Sequence, residues 1–197
     1  TDKITILRFL PNFRLSFRKF HKQSDYEIEE MKGFPEEIDN VWNGFSVGIK
    51  VAVNRNKKYL DWRYIQKPNE LYKIVHCYDV NREYLGCCVY SVKDKHNGKI
   101  GYIMELIFDL NRPKAGELLM SFAVDEIRKA DADCILAWCF NHSPSYTYFR
   151  QELFFKMPER LKPIELHFGV RVFNEVINEV IGNRDNWYIS YSDSDTV

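Results

Sequence analysis

The chain is 197 residues long, 45% hydrophobic and 28% charged, with Lys+Arg and Asp+Glu balanced at 28 each. That length suits one domain with a real core plus a short appended segment. The charge balance leaves no global field to recruit nucleic acid or an anionic membrane surface, and no apolar run approaches the roughly eighteen residues of a helical membrane span.

No signal peptide is visible where Asp2 and Lys3 lead into a short apolar stretch. Cys77, Cys87, Cys88, Cys134 and Cys139 all fall in strand-like runs without zinc-ligand spacing. The expectation is reduced thiols in a cytoplasmic setting, packed as small apolar filler. The first residue is Thr1 rather than methionine, as expected of a trimmed chain or a piece of something longer.

Residues 1–24 read as an N-terminal extension or a linker from an upstream segment, and residues 25–197 as the domain. Phe13, Phe17 and Phe20 recur at helical spacing. They are expected to pack on the domain while Arg14, Arg18, Lys19 and Lys22 face water. Asp25 to Met31 alternates as a first strand, and Gly33 breaks it. A helix begins at Phe34 and runs through Ile38, Val41, Trp42 and Phe45, with Glu36 and Glu37 placed against the positive end of its dipole. A second, short helix spans about Lys57 to Ile65, stopped before Pro68.

Three strand-like runs come next, Tyr72 to Tyr78, Tyr84 to Val92 and Ile100 to Leu110. Asp94, Asn97 and Gly98 supply turn chemistry for a hairpin. Pro113 suits the first turn of a helix whose apolar face is Leu118, Leu119, Phe122, Ala123 and Ile127. Cys134 to Phe140 reads as a continuous, doubly buried strand. Ser143 to Leu153 reads as a helix. Further strands are expected near Ile164 to Phe173 and Trp187 to Tyr191, with a short helix around Val176, Ile177, Val180 and Ile181 between them.

Two distant aromatic-rich segments carry a family likeness. They are Tyr59-Leu60-Asp61-Trp62-Arg63-Tyr64-Ile65-Gln66-Lys67-Pro68 and Asn186-Trp187-Tyr188-Ile189-Ser190-Tyr191-Ser192-Asp193-Ser194-Asp195. With the element order between them, they resemble the GNAT-type acyl-CoA N-acyltransferase domains over roughly residues 25 to 197. The resemblance implies an α+β fold, with a central mixed, mainly antiparallel sheet flanked by helices. It also implies acetyl-CoA, or another acyl-CoA, as co-substrate and a small-molecule amine as acceptor.

Carried onto this sequence, the resemblance assigns the coenzyme's pyrophosphate to the turn where the fourth strand meets the third helix, because free N–H groups and the helix dipole favour anions there. Phe108, Asp109, Arg112, Ala115 and Gly116 are the residues it places at the coenzyme. Ala115 stands where the family has glycine, and Glu117 where it has Gly or Ala. A carboxylate ~5 Å from a phosphate charge opposes binding by ~3 kcal/mol at an effective dielectric of about 20. Glu105 matches the strand carboxylate that serves as general base, directly or through water. Its bland alternative is a hydrogen-bonded strand glutamate.

Tyr148, or Tyr146 one register away, matches the tyrosine that protonates the departing thiolate, and Asn141 matches the contact to the cofactor arm. Trp62, Arg63 and Tyr64 are placed at the acceptor-side mouth. Asp193 and Asp195 read as a solvated tail, and the scattered histidines give no metal site. The function expected is acyl-CoA-dependent N-acyl transfer. The alternative is a non-catalytic GNAT-like module, paired with an upstream GNAT-like half or forming a homodimer. Nucleic-acid and membrane partners are not expected.

Overall fold

The runs rich in Val, Ile, Tyr and Cys all enter one sheet, as their preference for a pleated, half-buried surface requires. The computed structural model describes Phe20 and residues 22–68, 71–95, 97–158 and 168–194. Its strands are β1 (Tyr26–Glu30), β2 (Lys73–Asp79), β3 (Tyr84–Lys95), β4 (Gly98–Phe108) and β5 (Cys134–Ala137), which lie in that order across the sheet. β1 to β4 form an antiparallel meander, and β5 runs parallel to β4. A parallel neighbour needs a long crossover, supplied here by a helix, α3 (Pro113–Lys129). The remaining helices are α1 (Ile38–Phe45), α2 (Lys57–Tyr64), α4 (Tyr146–Gln151) and α5 (Asn178–Gly182).

α3 buries Ala115, Leu119, Met120, Ala123 and Ile127 against β2, β3 and β4. It lies so close that a Cβ on Gly101 of β4 would sit 2.2 Å from Ile127 Cγ2. α1 buries Ile38, Val41, Trp42 and Phe45, and it packs on β3 and β4. Phe20 meets Phe122 of α3 edge-on at 5.2 Å. Residues 1–19, with Phe13 and Phe17, and Asp195 at the other end lie outside the described residues.

One irregularity shapes the sheet. Val89 opposes Glu105 while Tyr90 opposes Ile103, so Met104 is an extra residue on β4, a β-bulge. A bulge bends its strand and re-aims the side chains beyond it. Gly101 and Glu105 are four residues apart, an even step, and would share a face of a regular strand. With the extra residue, Gly101 faces α3 while Glu105 faces the segment before α2. The β4–β5 ladder ends at the same point. Its last pair is Ile103 with Ala137, although β4 runs on to Phe108.

Three sequence expectations are corrected. The fifth strand stops at Ala137 and is only half-buried, because β4 bends away and leaves Trp138 to Phe140 unpaired. Residues 187–191 are not a strand. The segment makes a single bridge, Val51 to Trp187, and then enters a 3-10 turn at Tyr191–Asp193. That turn is set by a capping box, in which the Ser190 and Asp193 side chains satisfy each other's backbone amides. Of the run expected at 164–173, residues 164–167 lie outside the described residues and 168–173 form no strand. The short helix expected near Val176 and Val180 is present, as a 3-10 turn (Glu175–Ile177) leading into α5.

Buried His76 on β2 gives a pH signature. Its Nδ1 lies 3.1 Å from the Tyr84 hydroxyl. Burial depresses its pKa from 6.5 to about 4, against weaker opposing pulls from the Gly33 backbone and Glu29. The unfolded chain binds the proton below 6.5 while the folded chain refuses it until about 4. Stability is therefore complete above the unfolded value and is lost as pH falls through that window, by up to about 3 kcal/mol. Urea unfolding at neutral and mildly acidic pH should show a steeper loss for wild type than for His76→Gln. Parallel losses in the two proteins would refute the assignment.

Candidate functional site

The two aromatic-rich segments meet in space through residues 59–68 and 186–194, and the joint is built around two arginines. Arg55 lies in the linker before α2, whose N-cap Asn56 accepts from the Tyr59 amide at 2.9 Å. Arg55 is fully buried. Its Nε donates to Glu105 Oε2 at 3.2 Å, its Nη2 to Asp193 Oδ2 at 2.5 Å, and its Nη1 to the Val53 carbonyl at 2.6 Å. The guanidinium carbon sits 5.0 Å from the Tyr188 ring, 5.6 Å from Trp42 and 5.9 Å from Tyr59. Burial acts to lower the Arg55 pKa, but Glu105 and Asp193 outweigh it and hold the group above its ordinary value.

Arg63, on α2, is the second clasp. It donates from Nε to the Ser192 carbonyl at 3.0 Å and from Nη2 to the carbonyls of Ser194 at 2.8 Å and Tyr191 at 3.4 Å. Nη1 reaches the Tyr72 hydroxyl at 2.9 Å. The Tyr59 hydroxyl adds a bond to Ser192 Oγ at 3.0 Å. The guanidinium fork thus holds three carbonyls at the turn and just beyond it, of which Tyr191's also accepts from the Ser194 amide at 3.2 Å.

Glu105 lies beneath this turn with no exposed side-chain surface. Besides Arg55, its Oε2 accepts from Ser190 Oγ at 2.8 Å. Its Oε1 accepts from the Tyr188 hydroxyl at 2.5 Å and the Leu106 amide at 3.3 Å. Beside it is a cavity of about 10 Å³, lined in part by Glu105, Ser145, Tyr188 and Ser190. That space and those polar walls suit one water molecule.

The open edge of β4 borders this cavity. The Asp109 amide donates to the Leu85 carbonyl at 2.9 Å, which fixes the phase of the β3–β4 ladder. Bonded and non-bonded pairs alternate along an antiparallel ladder. The amides of Phe108 and Leu106 therefore face away from β3, on the edge that β5 has left, where the Leu106 amide donates to Glu105 Oε1 at 3.3 Å. Phe108 itself is buried. Its ring packs 4.8 Å from Tyr148 and lies 3.0 Å from where a Gly116 Cβ would stand. Gly116 is thus needed for the close approach of this ring.

The other residues singled out in the sequence are scattered more widely. Arg112 pairs with Asp79 at 2.7 Å and with Glu83, across the β2–β3 turn. Asp109 Oδ1 accepts from the Asn111 amide at 3.0 Å. Ala115 is buried in the first turn of α3, and Glu117 pairs with Lys114 at 2.9 Å. Tyr148 is buried, with burial and the nearby Glu117 raising its pKa. Tyr146 begins α4 half-buried, and Asn141 is exposed. Trp62 is 59% exposed while Tyr64 is buried, so Trp62 is the aromatic that α2 presents to solvent. Among the described residues, no group of His, Cys, Asp and Glu is arranged to hold a metal ion. No helix there is long and apolar enough to cross a membrane.

Sequence reasoning missed Arg55, Tyr188, Ser190 and Ser192. It also set Asp193 in a solvated tail, whereas its side chain is 16% exposed and bound to Arg55. The available signal was the pairing of segments that share unusual aromatic and charged content. Arg55 gave none, being one cation between two asparagines in the segment before α2.

Bulged fourth strand, diverging fifth strand and crossover helix define a GNAT-type N-acetyltransferase fold, as solved structures bear out. A putative acetyl transferase from Pyrococcus furiosus superposes with a TM-score of 0.54 at 14% identity, covering 75% of this chain and 100% of its own. A transcriptional regulator from Bacillus halodurans C-125 gives 0.50 at 13%, over 73% and 99%. A GCN5-related glucosamine N-acetyltransferase region of a fungal multi-domain GH3 β-N-acetylglucosaminidase gives 0.47 at 18%, over 58% of this chain and 13% of that one. No family model and no curated protein matches the sequence. At such identities the two superpositions at 0.50 or above show the fold alone.

Proposed function

We propose that the protein is an acyl-CoA-dependent N-acyltransferase, with acetyl transfer to a primary amine of a small molecule as its reaction. The observation that carries this reading is the bulge at Met104 coinciding with the last β4–β5 pair. It leaves the Phe108 amide on a strand edge without a neighbouring strand, beside a Leu106 amide that donates to the buried Glu105 carboxylate. Such an edge can donate to an extended amide-bearing arm as a neighbouring strand would.

Phe108, Asp109, Ala115, Gly116 and Asn141 frame the gap in this reading, with Arg112 at the start of α3. The coenzyme supplies an activated thioester. Glu105 accepts the amine's proton through a water in the adjoining cavity, and Tyr148, or Tyr146, returns a proton to the leaving sulfur. Trp62 marks the acceptor side, with Arg63 and Tyr64 holding the wall behind it. The free thiols fit a cytoplasmic setting.

The second reading, a non-catalytic GNAT-like module, is favoured by a specific observation. Arg112 is already committed to Asp79 and Glu83, and Phe108 fills the space over Gly116. Such a module would pair with an upstream GNAT-like half or a second copy. Phe155, Phe173 and Val176, at 74%, 87% and 88% exposed, offer apolar surface for that.

Thermal unfolding with acetyl-CoA separates the two readings. Ligand at about one hundred times its dissociation constant should add ~2.7 kcal/mol. A midpoint unmoved by millimolar acetyl-CoA would reject the transferase and favour the module.

A further inference from the structure

Glu105 is the carboxylate the proposed reaction uses, and most of the groups around it are neutral. From β3, the thiols of Cys87 and Cys88 act on it, and from beyond β5 that of Cys139. From α2 come the phenols of Tyr59 and Tyr64. All five groups are pushed toward their neutral forms by burial. From the C-terminal segment come the neutral hydroxyls of Tyr188 and Ser190, and the Asp193 carboxylate on the far side of Arg55. Arg55 is the cation bonded to Glu105 itself.

The bonding is also divided between the two oxygens. Oε2 is held by Arg55 and Ser190, whereas Oε1 is held by Tyr188 and its own neighbour's amide. Arg55 spans from Oε2 to Asp193, the residue that closes the capping box of the 191–193 turn. The same guanidinium thus touches the strand carboxylate and the turn that covers it.

We infer that Arg55 is a positioning residue, which holds Glu105 as an oriented carboxylate only while the C-terminal 191–193 turn is docked. This rests on the transferase reading for its purpose, but not for its test. Without the guanidinium, Oε2 keeps only the Ser190 hydroxyl and the carboxyl group loses its bridge to the 191–193 turn. A buried charge without its partner is costly. Without Asp193, Arg55 keeps one carboxylate of its two, and its grip on Oε2 slackens.

The experiment follows the Glu105 side-chain carboxyl carbon by NMR at neutral pH in 13C-glutamate-labelled protein, with Glu105→Gln to assign the signal, and hydrogen exchange at residues 188–194. In Arg55→Gln the carboxyl signal should move from its wild-type position and exchange at 188–194 should quicken, and Arg55→Lys should reverse most of both. Asp193→Asn should move the signal in the same direction by less. A carboxyl signal unmoved in Arg55→Gln overturns the inference, and so does a change that Arg55→Lys fails to reverse. Should Arg55→Gln not fold, Asp193→Asn decides, and an unmoved signal there overturns the inference. No substrate takes part. A protein that fails to bind acetyl-CoA yet shows these changes would lose the transferase reading and keep Arg55's role.

Discussion

Arg63→Met should destabilise the protein by about 3–5 kcal/mol, the loss expected when a buried charged donor is removed from several partners. Methionine replaces much of the apolar stem but none of the fork. The carbonyls of Tyr191, Ser192 and Ser194 then lose the guanidinium, as does the Tyr72 hydroxyl. Each such bond to a charged group is worth roughly 1.5–3 kcal/mol. The sum is smaller than four full bonds, because the turn can open to water. Unfolding in urea measures the total, and hydrogen exchange at residues 188–194 locates it. Acceleration confined to that segment, with a fall of the expected size, supports a clasp. A loss under about 1 kcal/mol would mean the turn is held by Arg55 and Tyr59 instead.

The same clasp separates the legible parts of the sequence from the hidden ones. Strands β2, β3 and β4 were legible because Ile74, Val75, Leu85, Val89 and Ile107 fall in apolar runs bounded by turn residues. The turn before Gly98 then fixes the hairpin, with Asn97 at φ 61°. α3 was legible from the spacing of Leu119, Ala123 and Ile127. The bulge at Met104 left no mark, since Ile103-Met104-Glu105-Leu106 reads as ordinary strand. Yet the bulge turns Glu105 to the face where Arg55 waits. In the last segment, Trp187-Tyr188-Ile189 has strand composition. The Ser190-Asp193 capping box and the pull of two distant arginines fold residues 191–193 into a turn instead. Tertiary partners more than one hundred residues away decided that conformation, and propensity yields to such contacts.

Glu105→Gln should lower turnover by about 10²–10⁴-fold if Glu105 takes the proton from the attacking amine. The substitution nearly preserves volume but not hydrogen-bonding sense. The carboxylate accepts from Arg55, Ser190, Tyr188 and the Leu106 amide, whereas an amide group must aim two N–H bonds at some of those donors. The Tyr188 and Ser190 hydroxyls can turn to accept, while Arg55 and Leu106 cannot. The amide oxygen is therefore expected to face Arg55, with a stability loss of about 1–3 kcal/mol. Turnover must be measured well below the variant's melting point, on an acceptor found by screening amines for release of the coenzyme thiol.

Two controls separate chemistry from distortion. Tyr148→Phe should depress turnover and leave acetyl-CoA affinity nearly intact, because its ring stays packed on Phe108 at 4.8 Å. If Tyr146→Phe does so instead, the acid is the residue at the start of α4. Acetyl-CoA affinity equal in Glu105→Gln and wild type would assign the rate loss to proton transfer rather than to a damaged binding site. A variant that binds the coenzyme normally and turns over at the wild-type rate would remove Glu105 from the reaction. The buried Arg55–Glu105–Asp193 bridge would then be a device for fixing the C-terminal turn, and the acceptor's own neutral amine would have to attack without it.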